Sequence, residues 1–159
     1  MNAPARLGYP LFIMSRPDPS QLDEHIVATV TALCERGDDD VENGLYEAAV
    51  EKYEEALTLI PRPLYAWAVT TWIFSAIAEA RYLQKDWART KESIMEAFRC
   101  EGAIGNPFLH LRLGQAEIAL GNKGRGVEEL IRAHERGGDE VFDGEDPKYL
   151  ALVRAALDN

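Results

Sequence analysis

The run Gly44-Leu45-Tyr46-Glu47-Ala48-Ala49-Val50-Glu51-Lys52-Tyr53-Glu54-Glu55-Ala56-Leu57-Thr58-Leu59-Ile60-Pro61 constrains the fold more than any other stretch of the chain. Ala49, Tyr53, Ala56 and Ile60 recur at three- and four-residue steps, which puts them on one face of a helix. The two alanines are small, so a preceding helix can approach closely, and Tyr53 fills the space between them. Gly44 suits the positive φ of a turn leaving that preceding helix, and Pro61 stops this one. The spacing therefore predicts the second arm of an antiparallel helical hairpin.

The pattern returns twice. With Trp87 set against Tyr46, Thr90, Ile94 and Ala97 fall where Ala49, Tyr53 and Ala56 stand, and Lys85 replaces the glycine. In the third copy Gly121, Gly126, Leu130 and Ala133 match, and Lys123 replaces the aromatic. Gly37, Ala78 and Gly114 occupy an equivalent small position on the three first arms. The repeats span about 21–61, 64–102 and 106–138.

These residues resemble the tetratricopeptide repeat (TPR), with a spacing longer than the family's roughly 34 residues. The resemblance implies an all-α, antiparallel helix-hairpin array wound as a right-handed solenoid. It covers roughly residues 21–138 and leaves a helix at about 147–157 as a C-terminal cap, with Leu150, Val153 and Leu157 closing the open end. Another helical hairpin array is the alternative. Residues 1–20, with Pro4, Pro10, Pro17 and Pro19, are expected to form an irregular arm, and 21–159 a single domain. Met14 is a second possible start, so residues 1–13 are either an upstream extension or part of that arm.

Local signals place the individual helices. Ser20 is expected to cap the first, from about Gln21 to Asn43. The second runs from about Tyr46 to Leu59, the third from Tyr65 to Leu83 and the fourth from Trp87 to Cys100. Asn106-Pro107 and Asp146-Pro147 each pair a capping side chain with proline at the first helical position. The third helix is apolar on most sides, which predicts burial on most sides or a covered ligand.

A net charge of −10 disfavours nucleic acid and anionic membranes as partners. The excess is local: Glu35, Asp38, Asp39, Asp40, Glu42, Glu47, Glu51, Glu54 and Glu55 face only Arg36 and Lys52. Such a run is a solvated face or a steering surface for a basic partner. Cys34 and Cys100 stand in no metal or redox spacing and read as reduced apolar residues of a cytoplasmic protein. His25, His110 and His134 form no nucleophile–base set, and Gly121–Gly126 follows a helix rather than the strand a phosphate loop needs. No catalytic residue, metal or cofactor is expected.

What the resemblance implies about function is a groove lined by the first helices, which grips a protein or peptide. Its lining positions map onto Thr31, Cys34, Asp38, Val41 and Glu42 in the first repeat. In the second they are Trp72, Ser75, Glu79, Tyr82 and Leu83, and in the third Phe108, Leu111, Arg112, Gln115 and Ile118. The strongest candidates are Asp38, Val41, Glu42, Trp72, Glu79, Tyr82, Phe108, Leu111, Arg112 and Gln115, and their acids favour a partner with basic residues. The dicarboxylate clamp of some TPR proteins needs Lys and Asn in the first repeat. Cys34 and Asp38 stand there and only Arg112 matches, so acidic C-terminal tails are not expected to bind. The expected role is a non-catalytic protein-interaction module. An immunity protein against a bacterial toxin, a secretion chaperone and a homo-oligomeric scaffold are alternatives. An enzyme or small-ligand binder with the Trp67/Trp72 helix as a pocket wall is the competing class.

Overall fold

In a computed structural model, which describes residues 22–158, the chain folds as consecutive antiparallel hairpins. The helices are α1 (Glu24–Glu42), α2 (Tyr46–Leu59), α3 (Ala68–Leu83), α4 (Trp87–Ala97), α5 (Pro107–Ala119), α6 (Lys123–Gly137) and α7 (Pro147–Leu157). Short 3-10 turns at Leu64–Ala66, Ala103–Gly105 and Asp139–Phe142 join the hairpins and lead into α7. No strand occurs among the described residues. Each helix packs on the next, and α3 also touches α5. The all-α hairpin array expected from the repeats is the architecture observed.

Small residues set the helix spacing within each hairpin. A Cβ placed on Gly37 would lie 2.5 Å from the Tyr53 ring, and one on Gly114 would lie 2.8 Å from the Leu130 side chain. These two pairs are the same contact in repeats one and three. Ala78 and Ile94, both fully buried in one cluster, are its counterpart in repeat two. Ala49, Thr90 and Gly126 are buried at the facing small position. Thr90 is tolerated there because its hydroxyl donates to the Asp86 carbonyl at 2.8 Å, which hides the polar atom from the apolar neighbours.

The turns repeat as closely as the packing does. α1, α3 and α5 all end in the same pair of backbone hydrogen bonds. Gly44 N donates to Val41 O and Leu45 N to Asp40 O, at 3.0 and 2.8 Å. Lys85 and Asp86 repeat this on Tyr82 and Arg81, and Gly121 and Asn122 on Ile118 and Glu117. The motif needs a left-handed residue, and φ is 74° at Gly44, 61° at Lys85 and 89° at Gly121. Lys85 therefore carries a conformation that the other two turns assign to glycine.

Several boundaries differ from the sequence reading. Asp23 caps α1 by accepting from His25 N, while Ser20 and the 1–20 arm lie outside the described residues. α3 begins at Ala68 rather than Tyr65 because Trp67 is extended and its indole N–H donates to the Pro61 carbonyl. α4 gives way to turns after Ala97, and Gly102 at φ 78° redirects the chain. Asn106 and Asp146 cap as expected, accepting from Phe108 N and Lys148 N. In α7 Val153 is fully buried and Leu150 half-buried, but Leu157 points to solvent.

α3 is apolar because neighbours surround it. It packs on α2, α4 and α5, and its buried hydroxyls satisfy themselves locally, Thr70 on Leu64 O and Ser75 on Thr71 O. No helix of the described residues is long and apolar enough to cross a membrane.

Two substitutions test this geometry by urea unfolding. Lys85→Gly relieves the left-handed strain and is expected to raise stability by roughly 0.5 kcal/mol, after the entropy cost of glycine is offset. Gly126→Ala would place a Cβ 2.5 Å from Ile118 Cγ1 and 2.7 Å from the Gly114 carbonyl. It is expected to lower stability by roughly 2 kcal/mol. Unchanged midpoints for both would show that these contacts do not set the helix spacing.

Candidate functional site

The first helices of the three hairpins, α1, α3 and α5, carry the candidate lining residues, and the structure divides them into two groups.

The first group lies on α1 and α3. Asp38 is half-buried and accepts from the Tyr53 hydroxyl at 2.7 Å. The Tyr53 ring, wedged against Gly37, meets Trp72 edge-on at a centroid distance of 6.1 Å. Tyr53 thus links the acidic turn of α1 to the aromatic start of α3. Thr31 and Glu42 are exposed, Trp72 and Leu83 are half-buried, and Cys34, Val41 and Ser75 are buried.

Electrostatics in this group run against the protein's own stability. Burial pushes the Asp38 carboxyl above its usual range, the Tyr53 hydrogen bond opposes this, and Asp39, Glu42 and Glu35 add to the rise. Burial also pushes the Cys34 thiol up to about 12, with Asp38 and Glu35 adding to the effect, so it stays protonated and unreactive.

The second group is one ionic cluster. Arg112 donates Nε to Glu79 Oε2 at 2.6 Å and Nη2 to Glu79 Oε1 at 3.0 Å, a two-point fork between α5 and α3. Its guanidinium lies over the Tyr82 ring at 4.2 Å and the Phe108 ring at 5.0 Å. Gln115 accepts from Arg112 Nη1 at 2.9 Å. Desolvation works against the charge on Arg112, but Glu79 and Glu145 outweigh it and the group stays cationic. Burial pushes Tyr82 up to about 12, with Arg112 opposing.

Glu79, Phe108, Leu111, Arg112 and Gln115 are all buried, and Ile118 is half-buried. What covers part of this face is the chain itself. Glu145, on the segment before α7, accepts from Arg112 Nη1 at 2.7 Å and from Gln115 Nε2 at 2.8 Å. The sequence assigned Asp146-Pro147 to the cap of the last helix and no role to Glu145. Nothing in the periodicity signals that Glu145 reaches back to residues 30 and 33 positions earlier.

Two further buried carboxylates tie helices together. Glu117 is fully buried, 2.8 Å from Lys91 Nζ, and accepts from Asn122 at 2.7 Å. Glu129 accepts from His110 Nδ1 at 2.7 Å, while His110 Nε2 meets the Ile104 carbonyl. Burial pushes both carboxyls up, but their hydrogen bonds and neighbouring cations hold them below the usual range. Among the described residues no group of three or more His, Cys, Asp or Glu is arranged to hold a metal ion.

The fold defines the architecture this chain is similar to, the TPR-like helical hairpin arrays. No protein-family model matches the sequence, and no curated protein does. Among solved structures, the chain is similar to PcrH, determined in complex with the chaperone binding region of PopB. The TM-score is 0.59 at 15% identity, over 86% of this chain and 95% of that one. At that identity the likeness is one of fold.

Asp38 yields a signed pH prediction. A carboxyl whose folded value is raised contributes its full stability below the ordinary aspartate range and loses it as pH rises through the folded value. Asp38→Asn keeps an acceptor for Tyr53 and removes the charge. It is expected to stabilise the protein at pH 7 by a few tenths of a kcal/mol, with the gain vanishing below about pH 4 and shrinking in high salt. Thermal melts across pH check this, and a destabilised variant at pH 7 would contradict it.

Proposed function

We propose that the chain is a non-catalytic protein-binding module whose inner face, over the first two hairpins, receives a segment of another protein rich in basic residues. The observation that carries this reading is an asymmetry in charge pairing. From α3 onward Glu79, Asp86, Glu96, Glu117, Glu129, Asp139, Glu145 and Asp146 each meet a cationic or histidine partner, while Glu92, Glu101, Glu128, Glu135, Glu140, Asp143 and Asp158 form no ion pair among the described residues. Among the described residues of α1 and α2, only Glu47 and Glu55 do so, with Arg81 and Lys52. On α1 Asp38 feels the charges of Asp39, Glu42 and Glu35 and forms no ion pair among the described residues, and it leads through Tyr53 to Trp72. A like-charged surface costs stability and steers an oppositely charged partner. An aromatic at its edge supplies apolar area at modest entropic cost.

A chaperone that holds a segment of its client is a narrower form of this reading. The likeness in fold to PcrH, solved with the chaperone binding region of PopB, supports it. An immunity protein facing a basic toxin would use the same charge, and a neighbouring toxin gene would favour that form.

The test is capture from the native host lysate with three baits: the wild type, Asp38→Asn/Glu42→Lys on α1, and Glu54→Lys/Glu55→Lys on α2. The inner-face reading expects a basic partner that the α1 variant loses at least tenfold and the α2 variant retains. A partner kept equally by the wild type and the α1 variant would remove the site from this face.

A further inference from the structure

We propose that Arg112 and Gln115 form a carboxylate-binding site on the inner face of the third hairpin, which the chain's own Glu145 keeps filled and which an acidic peptide segment enters by displacing residues 143–147. The inference goes beyond the basic-segment reading of the first two hairpins and does not depend on it.

Both oxygens of Glu145 are gripped, Oε1 by Arg112 Nη1 at 2.7 Å and Oε2 by Gln115 Nε2 at 2.8 Å. The receptor is held in place without its occupant. Glu79 fixes the guanidinium through Nε and Nη2, Tyr82 and Phe108 stack on it, and the Gln115 carbonyl is already taken by Arg112. Departure of Glu145 therefore leaves no buried cation unpaired, because the fork to Glu79 remains. That removes the largest penalty that breaking a buried ion pair normally carries.

The occupant is built differently. Glu145 lies between α6 and α7, immediately after Gly144, which takes a positive φ of 79°, and its backbone N–H donates to the Phe142 carbonyl at 3.0 Å. Asp143, Gly144, Asp146 and Pro147 are exposed, and the nearest apolar anchor is Phe142. A carboxylate receptor on rigid helices is thus matched with a ligand on an exposed irregular segment. A competitor needs to supply only what Glu145 supplies, a carboxylate on a short chain. The site differs from the dicarboxylate clamp, since it lies in one repeat and is closed in the resting chain.

The probe is a fluorescently labelled peptide carrying residues 138–147, titrated into the full-length wild type and full-length Glu145→Ala, with folding checked by circular dichroism. The proposal expects the variant to bind at least tenfold more tightly, and the same peptide with E145Q to lose that difference. Equal binding by the two chains, or a peptide indifferent to E145Q, would overturn it and mark Glu145 as a tie that only fastens α7. Hydrogen exchange on the wild type stands independently of whether the variant folds. A millimolar excess of the peptide should speed exchange in residues 143–157 several-fold and leave α1–α4 unchanged. Protection that stays the same in 143–157 would also overturn the proposal. Because the probe is a peptide rather than the cellular partner, failure here leaves the lysate experiment on Asp38 and Glu42 unaffected.

Discussion

The close approach of two helices inside each hairpin is the constraint on which the rest depends. It exists because Gly37, Ala78 and Gly114 put almost nothing between the helix axes, so that Tyr53, Ile94 and Leu130 can fill the crossing. Once that distance is fixed, the turn has little freedom. The same two backbone hydrogen bonds and the same left-handed residue recur at Gly44, Lys85 and Gly121. The first helices of successive hairpins, α1, α3 and α5, carry Asp38, Trp72 and Arg112 respectively.

Tyr53 shows how a packing residue becomes part of a surface. Its ring holds the crossing at Gly37, its edge meets Trp72, and its hydroxyl reaches Asp38. One carboxylate of the acidic turn of α1, Asp38, is held half-buried by this hydrogen bond, while Glu35, Asp39 and Glu42 are exposed. In the third hairpin the balance is opposite, and Arg112 spends its charge on Glu79 and Glu145 within the chain. α1 and α5 thus present different chemistry, exposed and acidic on α1, buried and neutralised around Arg112 on α5.

The hairpins were legible in the sequence because their signals are local. Small residues at fixed helical spacing, Asn106-Pro107 and Asp146-Pro147 act within a few residues of where they stand. Lys85 was legible as a departure from glycine, and its φ of 61° shows that the backbone kept the turn when the side chain changed. Misplaced ends trace to contacts that periodicity does not carry, such as the Trp67 indole on the Pro61 carbonyl and Asp23 on His25 N. The repeat assigned Asp38 and Glu42 to the first helix of one hairpin and Trp72 to the first helix of the next, and they lie on α1 and α3. The covering of Arg112 and Gln115 could not be read from it, because it depends on one glutamate brought back across 30 or more residues by the path of the chain. The cluster of Glu79 with Arg112 is non-local in the same way, joining two helices whose charges look unrelated in sequence.

The central claim is that the inner face over the first two hairpins receives another protein. Site-specific photocrosslinking in the native host tests it most directly, with a photoreactive phenylalanine analogue placed at Thr31 or Trp72 on the inner face, and at the exposed Met95 on α4. The account predicts one shared crosslinked protein from Thr31 and Trp72, rich in basic residues, and none of it from Met95. Crosslinking of that protein from Met95 alone would contradict the account and move recognition to the outer helices.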